Sequence, residues 1–247
     1  MGKGYFISFF VFIMVWSIIA ENGAVAKNLL PSPMEVVKSL ESLLLSEYGF
    51  KHISSTLYRT VVSFLIGIII AIPLGIFFGV QKKLYGFFEW AIEFFRCVPA
   101  SAMYPLFLVF LGFGDGSKIA MGAWGSGLVA FINTIHGVNN AKKSRRIMAM
   151  TKHASFWQIL RKITLFEALP FIFVGLRTGI AWNMIVVIVA EMLIGTKYGL
   201  GRMIYDAGIV FDTASVISGI FLIGLIGYSI NKIIVYFESR IIHWKGF

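Results

Sequence analysis

From Ser55 to Val80 the chain is apolar except for a few hydroxyls and one charged side chain, Arg59. About 20 consecutive apolar residues are what an α-helix needs to cross the hydrocarbon core of a bilayer. A helix satisfies its own backbone hydrogen bonds, so lipid can surround it; an open strand cannot do this. Comparable runs recur, and spans are placed at about residues 5–20, 57–80, 88–111, 118–136, 169–194 and 214–237. Apolar residues make up 58% of the chain and charged residues 14%, with a mean hydropathy of +0.83, far from soluble averages. The sequence therefore predicts an all-α integral membrane protein of about six transmembrane helices. No short-period repeat or flexible linker divides it, so residues 1–247 are read as one domain.

Within this frame the spans differ. Residues 57–80 carry Gly67, Pro73, Gly75 and Gly79, small residues that let helices approach closely in lipid, with Pro73 expected to kink the helix. The third span is expected to break at Pro99 and again at Pro105. Ahead of Pro99, Glu89 with Glu93 at i+4 and Glu93 with Arg96 at i+3 predict a solvated or interfacial face and a weak ion pair. The run Tyr5–Ala20 reads either as a signal peptide cleaved near Ala24-Val25-Ala26 or as an uncleaved first helix; the multispan chain that follows favours the helix. Ser32-Pro33 opens an amphipathic helix through Met34, Val37, Leu40 and Leu44, lying along the outer membrane surface or packed against the bundle.

Charge sorts the loops. The net charge is +10, with cations gathered in loops on one predicted side: Lys82-Lys83, the 140–167 segment, and Arg240, His243 and Lys245 in the tail. The positive-inside rule makes that side cytoplasmic and places both termini there, so no nucleic-acid partner is needed to account for the basicity. Cys97 is the single cysteine, which excludes an internal disulfide; it is expected to be a small packing residue. Gly112–Lys118 superficially suggests a phosphate loop, but Lys118 follows Ser117 rather than Gly and the stretch leads into a span, so ATP hydrolysis is not expected here. The four histidines are scattered, with no metal-ligand spacing and no catalytic constellation.

The long polar interruption, residues 140–167, carries the functional signal. Ser155 and Gln158 have capping-box spacing and start a short helix with Ile159, Leu160 and Ile163 on one face and Arg161 and Lys162 on the other. A structured cationic helix between two spans is suited to docking a soluble partner. Ala154-Ser155, Trp157-Gln158-Ile159-Leu160-Arg161-Lys162, Ala168-Leu169-Pro170, Gly175-Leu176-Arg177 and Gly199-Leu200-Gly201 resemble the permease subunits of bacterial ATP-binding-cassette importers, in the nitrate, sulfonate and taurine branch. The resemblance runs from Leu30-Pro31-Ser32-Pro33 to Trp244. The family's coupling signature is Glu-Ala-Ala, then Gly, then Ile-x-Leu-Pro. Here Ile147 stands for the Glu, His153 for the Gly and Phe166 for the Pro; Ala149 keeps the last Ala.

The resemblance implies a type I importer permease fold, MetI-like, in the inner membrane. It implies a homodimer in lipid that binds two copies of a separate ATPase and receives substrate from an extracytoplasmic binding protein. ATP and magnesium would be bound by the ATPase, with no cofactor or metal in this chain. Ala149, His153, Ala154, Ser155, Trp157, Gln158, Ile159 and Arg161 would form the ATPase-coupling loop. His153 is expected in a left-handed turn, and Trp157 is either a docking knob or an interfacial anchor. Arg177 and Glu191 are intramembrane charges too far apart on one helix to pair; each is either satisfied by a neighbouring helix or braces the translocation path, together with Pro99 and Pro105. The substrate would be a small anion such as a sulfonate, taurine or nitrate, or a vitamin precursor. The competing reading is a secondary transporter or channel not coupled to ATP, which should show paired repeats of broken helices.

Overall fold

The computed structural model describes residues 2–22, 25–26 and 29–244, so the possible cleavage site at residues 24–26 falls partly, and Lys245 to Phe247 wholly, outside the described residues. The described chain is helical: α1 (Gly2–Glu21), α2 (Pro33–Leu45), α3 (Glu47–Val80), α4 (Lys82–Cys97), a 3-10 turn (Ala100–Met103), α5 (Tyr104–Leu111), α6 (Asp115–Asn139), α7 (Lys143–Thr151), α8 (Phe156–Ile159), a π-helical turn (Leu160–Thr164), α9 (Leu165–Leu193), α10 (Leu200–Ile209) and α11 (Thr213–Ile241). Two compact units emerge, residues 1–57 with 191–226, and residues 58–190 with 227–247.

Three of the described helices are long and apolar enough to cross a membrane: α3, the continuous run Phe156–Leu193, and α11. The bent pair formed by α4 and Ala100–Leu111 makes a fourth, turning through 91°. The other two expected spans fall on α1, whose described apolar part is only Phe10–Glu21, and on α6. In α6, glycine, serine and asparagine lower the hydropathy of a helix that nonetheless buries Met121, Ala130, Ile135 and Val138.

In the first unit, Ser32 and Glu35 close a capping box at the start of α2, with Pro33 where its missing N–H is harmless. Of the two placements expected for the stripe of Met34, Val37, Leu40 and Leu44, packing inward holds only in part, with Leu40 half-buried. Val36 and Leu43 are buried, while Met34, Val37 and Leu44 are exposed. This 13-residue helix carries apolar residues on more than one face, so periodicity alone could not choose between them. Ser218 on α11 donates to the Val36 carbonyl at 3.0 Å, and Trp16 donates its indole N–H to the Pro31 carbonyl at 3.0 Å. A Cβ at Gly49 would stand 1.8 Å from the Leu43 carbonyl oxygen, so only glycine permits the tight α2–α3 junction.

In the second unit, α3 lays a stripe of Gly67, Ala71, Gly75 and Gly79 against α6. A Cβ at Gly67 would meet Ser126 Oγ at 2.6 Å, and one at Gly75 would meet Thr134 Cβ at 2.7 Å. With that clearance removed, the backbones are as close as small-residue packing allows. Asn183 on α9 closes the third side. Fully buried, it donates to Ser63 Oγ at 2.9 Å, Ser126 Oγ at 3.2 Å and the Gly122 carbonyl at 3.2 Å. A polar group buried in hydrocarbon must find such partners. Further along, Val138, Ala168 and Ile172 form an apolar cluster with Ile72, Ile76 and Leu176 around it.

Two sequence expectations change here. Only Pro99 interrupts the third span: Pro105 lies in the first turn of α5 and therefore starts a helix instead of breaking one. Cys97 ends α4 exposed, not packed, because none of the α4 residues is buried.

Candidate functional site

The polar segment is a folded element attached to the membrane helix that follows it. Helix α7 ends in a Schellman motif: the Ala154 N–H donates to the Ala149 carbonyl and the His153 N–H to the Met150 carbonyl, both at 3.0 Å. The motif needs a left-handed residue at its penultimate position, and His153 supplies it with φ of 56°. Histidine tolerates that region better than most side chains, so the turn survives without the family's glycine.

Ser155 then caps α8. Its hydroxyl accepts from the Gln158 N–H at 3.4 Å, and the Gln158 side-chain oxygen accepts from the Ser155 N–H at 2.8 Å. Ile159 is buried and anchors the short helix, with Leu160 and Ile163 half-buried beside it and Arg161 and Lys162 exposed. The expected faces are therefore the observed ones. What sequence periodicity did not give is continuity. The chain passes from α8 through the π-helical turn directly into α9, a helical run of 38 residues from Phe156 to Leu193.

Ile147, Met148, Met150, Phe156 and Trp157 are exposed on this segment, Trp157 at 63%. The Arg161 guanidinium lies 5.8 Å from the Trp157 ring centroid, a cation–π distance. A cavity of about 200 Å³ lies beside them, walled by Val80, Arg146, Met150, Ala154, Phe156 and Thr164 among others. The segment thus presents exposed apolar side chains among its cations.

Glu167, overlooked by motif reading, ties the segment down. Its carboxylate accepts from the Lys142 backbone N–H at the start of α7 and from Arg145 at 2.8 Å. An acid at a helix N-terminus is favourable by charge as well as by hydrogen bond. The available signal was simple, since Glu167 is the lone acid between Asn140 and Pro170.

The intramembrane charges divide between the two units. Arg177 reaches Glu238 on α11 at 3.0 Å. Glu191 is completely buried and accepts from the Thr56 hydroxyl at 2.8 and 2.9 Å and from the Gly201 N–H at 2.9 Å. Thr56 Oγ in turn accepts from the Leu200 N–H at 2.8 Å, and His52 Nδ1 lies 3.1 Å from the Gly199 nitrogen. Glu191, Thr56 and His52 thus satisfy the start of α10, which has no side-chain cap of its own. Both charges have partners on other helices, and they do not meet each other. Pro99 stands at the 91° bend and Pro105 in the helix beyond it. Near the start of α6, buried Arg59 holds Asp115 at 2.8 Å, and buried Lys118 donates to the Gly114 carbonyl at 2.9 Å. Among the described residues, no three His, Cys, Asp or Glu side chains gather as a metal site.

Helices long and apolar enough to cross a membrane, with a folded cationic segment between two of them, are what a membrane transport component requires. Residues 63–243 match the family model for the inner membrane component of binding-protein-dependent transport systems. The putative aliphatic sulfonates transport permease protein SsuC of Bacillus subtilis (strain 168) is 31% identical over 238 residues, covering 96% of this chain and 85% of that protein. The taurine transport system permease protein TauC of Escherichia coli (strain K12) is 28% identical, covering 96% and 87%. The nitrate import permease protein NrtB of Leptolyngbya laminosa is 27% identical, covering 96% and 86%. Among solved structures, the inward-facing MetNI methionine transporter superposes with a TM-score of 0.65 at 22% identity, over 81% of this chain and 98% of that one. The chain belongs to the family of binding-protein-dependent transport system inner membrane components. It is the transmembrane permease subunit of an ATP-binding-cassette importer, a transporter component and not an enzyme, and it works with an ATPase and a substrate-binding partner.

Proposed function

We propose that this permease carries a small sulfonate, taurine or nitrate-like anion, or a vitamin precursor, through a homodimer with two ATPase copies beneath it. The sulfonate, taurine and nitrate permeases among its relatives support that substrate range. In this reading an extracytoplasmic binding protein delivers the substrate, both termini are cytoplasmic, and ATP and magnesium are held by the ATPase with no cofactor in this chain. The segment from Asn140 to Glu167 is the coupling element. Trp157 and Arg161 contact the ATPase, while Ala149, His153, Ala154, Ser155, Gln158 and Ile159 hold their shape. Arg177, Glu191, Pro99 and Pro105 brace the helices around the path.

One observation carries the coupling role: the exposed Trp157–Arg161 pair lies on a helix continuous with membrane-spanning α9. Closure of the ATPase pair would therefore push directly on a membrane helix, a rigid-body switch between inward-open and outward-open states. The test is a pull-down of the tagged chain from detergent followed by an ATPase assay on the eluate. An ATPase subunit should co-elute, and Trp157→Ala with Arg161→Ala should remove it while the permease stays monodisperse. Retention of full ATPase binding by that double variant would refute the assignment.

A further inference from the structure

The second unit holds a cavity of about 530 Å³ walled by α3, α4, α5 and α6, with Ile70, Phe78, Phe88, Phe95, Trp124 and Phe131 among its lining. Every lining residue is apolar or glycine and none is charged, so an inorganic or sulfonate anion would be desolvated there with no counter-charge and at most the Trp124 Nε1–H as a donor. Its mouth is formed by exposed apolar side chains on a membrane-crossing helix: Ile66 is 41% exposed, Ile70 56% and Leu74 46%. An apolar cavity of about 150 Å³ already takes up a benzene-sized guest; this one has room for an acyl chain.

Lys82 and Lys83 open α4, more than a turn before its lining residues Phe88, Ala91, Ile92 and Phe95. Phe78 lies in the last turn of α3, and Phe88 is five residues beyond Lys83, about 7 Å along α4. Lys82 and Lys83 lie between these two lining residues in the chain and are exposed. The acids on the same helix stand beside lining residues, Glu89 next to Phe88 and Glu93 next to Ile92, and Glu93 is held by Arg96 at 2.6 Å. Basic residues beside a membrane helix select anionic headgroups.

We infer that this cavity is a binding site for one anionic phospholipid, its acyl chain under α4 and its phosphate at Lys82 and Lys83. The inference rests on the chain being a membrane permease and is independent of the substrate proposed above.

Trp124 provides the probe, being part of the cavity wall with its Nε1–H buried and unpartnered among the described residues. The full chain, with Trp16, Trp90, Trp157, Trp182 and Trp244 replaced by Phe, is reconstituted in phosphatidylcholine vesicles. Either brominated phosphatidylglycerol or brominated phosphatidylcholine is then added at matched mole fraction. Phosphatidylglycerol should half-quench Trp124 at a roughly thirtyfold lower fraction, given the contribution of each of the two basic residues at a membrane surface. Lys82→Glu with Lys83→Glu should equalise the two lipids, and Ala91→Phe, which fills the cavity, should leave only the weak quenching of bulk lipid.

Equal quenching by the two lipids in the unmodified-lysine chain would overturn the inference. So would relief of quenching by millimolar ethanesulfonate, which would make the cavity part of the transport path. If the single-tryptophan chain does not fold, phosphatidylglycerol bound per chain is measured after purification of the native-tryptophan protein. A ratio unchanged by Ala91→Phe is then the overturning result.

Discussion

Two single residues show how this chain departs from its family's pattern without losing the shape the pattern encodes. His153 occupies the left-handed end of α7 at φ 56°, where the family has glycine. The left-handed conformation costs a non-glycine residue about 1–2 kcal/mol, partly offset by the chain entropy that glycine loses on folding. His153→Gly should therefore raise stability by up to about 1 kcal/mol and leave ATPase coupling intact. Thermal unfolding in detergent, with transport in proteoliposomes, checks both; lost coupling would mean the imidazole itself is needed. Thr56 makes the opposite case. Its hydroxyl links buried Glu191 to the Leu200 N–H, so the near-isosteric Thr56→Val leaves both without that partner. A buried polar group deprived of its bond costs about 1–3 kcal/mol, read as a lower unfolding midpoint with the helical content unchanged.

At the level of elements, legibility followed sequence distance. The capping box at Ser155 was read because its partner is three residues away, whereas at Ser32 only the helix start was read and its box with Glu35 was missed. The Glu191–Thr56 bonds span 135 positions, so the sequence could only say that Glu191 must find something. Faces were readable where one side was charged, as at Arg161 and Lys162, and unreadable in α2, where apolar residues stand on several sides. The glycines of α3 were legible as close-packing residues, but their partner helix was not. That partner makes a sharp prediction. Gly67→Val pushes a side chain into Ser126 and the Ala123 carbonyl, 2.6 and 2.7 Å from the new Cβ, and overpacking of this kind costs about 1–3 kcal/mol. Gly86→Ala, with nothing within 4 Å, should be neutral or slightly stabilising. Unfolding midpoints of the two variants, measured side by side, separate a packing role from a general intolerance of change.

For the whole transporter, the question is how a push on a polar segment becomes a movement of membrane helices. The segment proposed to couple is fixed twice within its unit: α7 is tied through Lys142 and Arg145 to Glu167 on α9, and α8 runs unbroken into that same helix. Arg145 is 60% exposed although Glu167 is only 13% so, and an ion pair with one solvated partner contributes modestly alone, so the covalent helical continuity is the stiffer route. A π-helical turn at Leu160–Thr164 marks where the route is locally irregular, and such turns are frequent at functional sites. Inserting Gly-Gly after Thr164 should leave the Trp157–Arg161 surface folded and able to bind the ATPase, because its cap and Schellman bonds are all N-terminal to the insertion. It should cut substrate uptake by roughly tenfold or more, since two glycines in a helix interior remove about 2 kcal/mol of helical stability at the point of transmission. Uptake into proteoliposomes, measured together with ATP hydrolysis and ATPase co-purification, decides the matter. Bound ATPase with uptake lost places transmission in the α8–α9 rod. Uptake preserved at the unmodified rate would mean that the push travels through α7 and Glu167 instead.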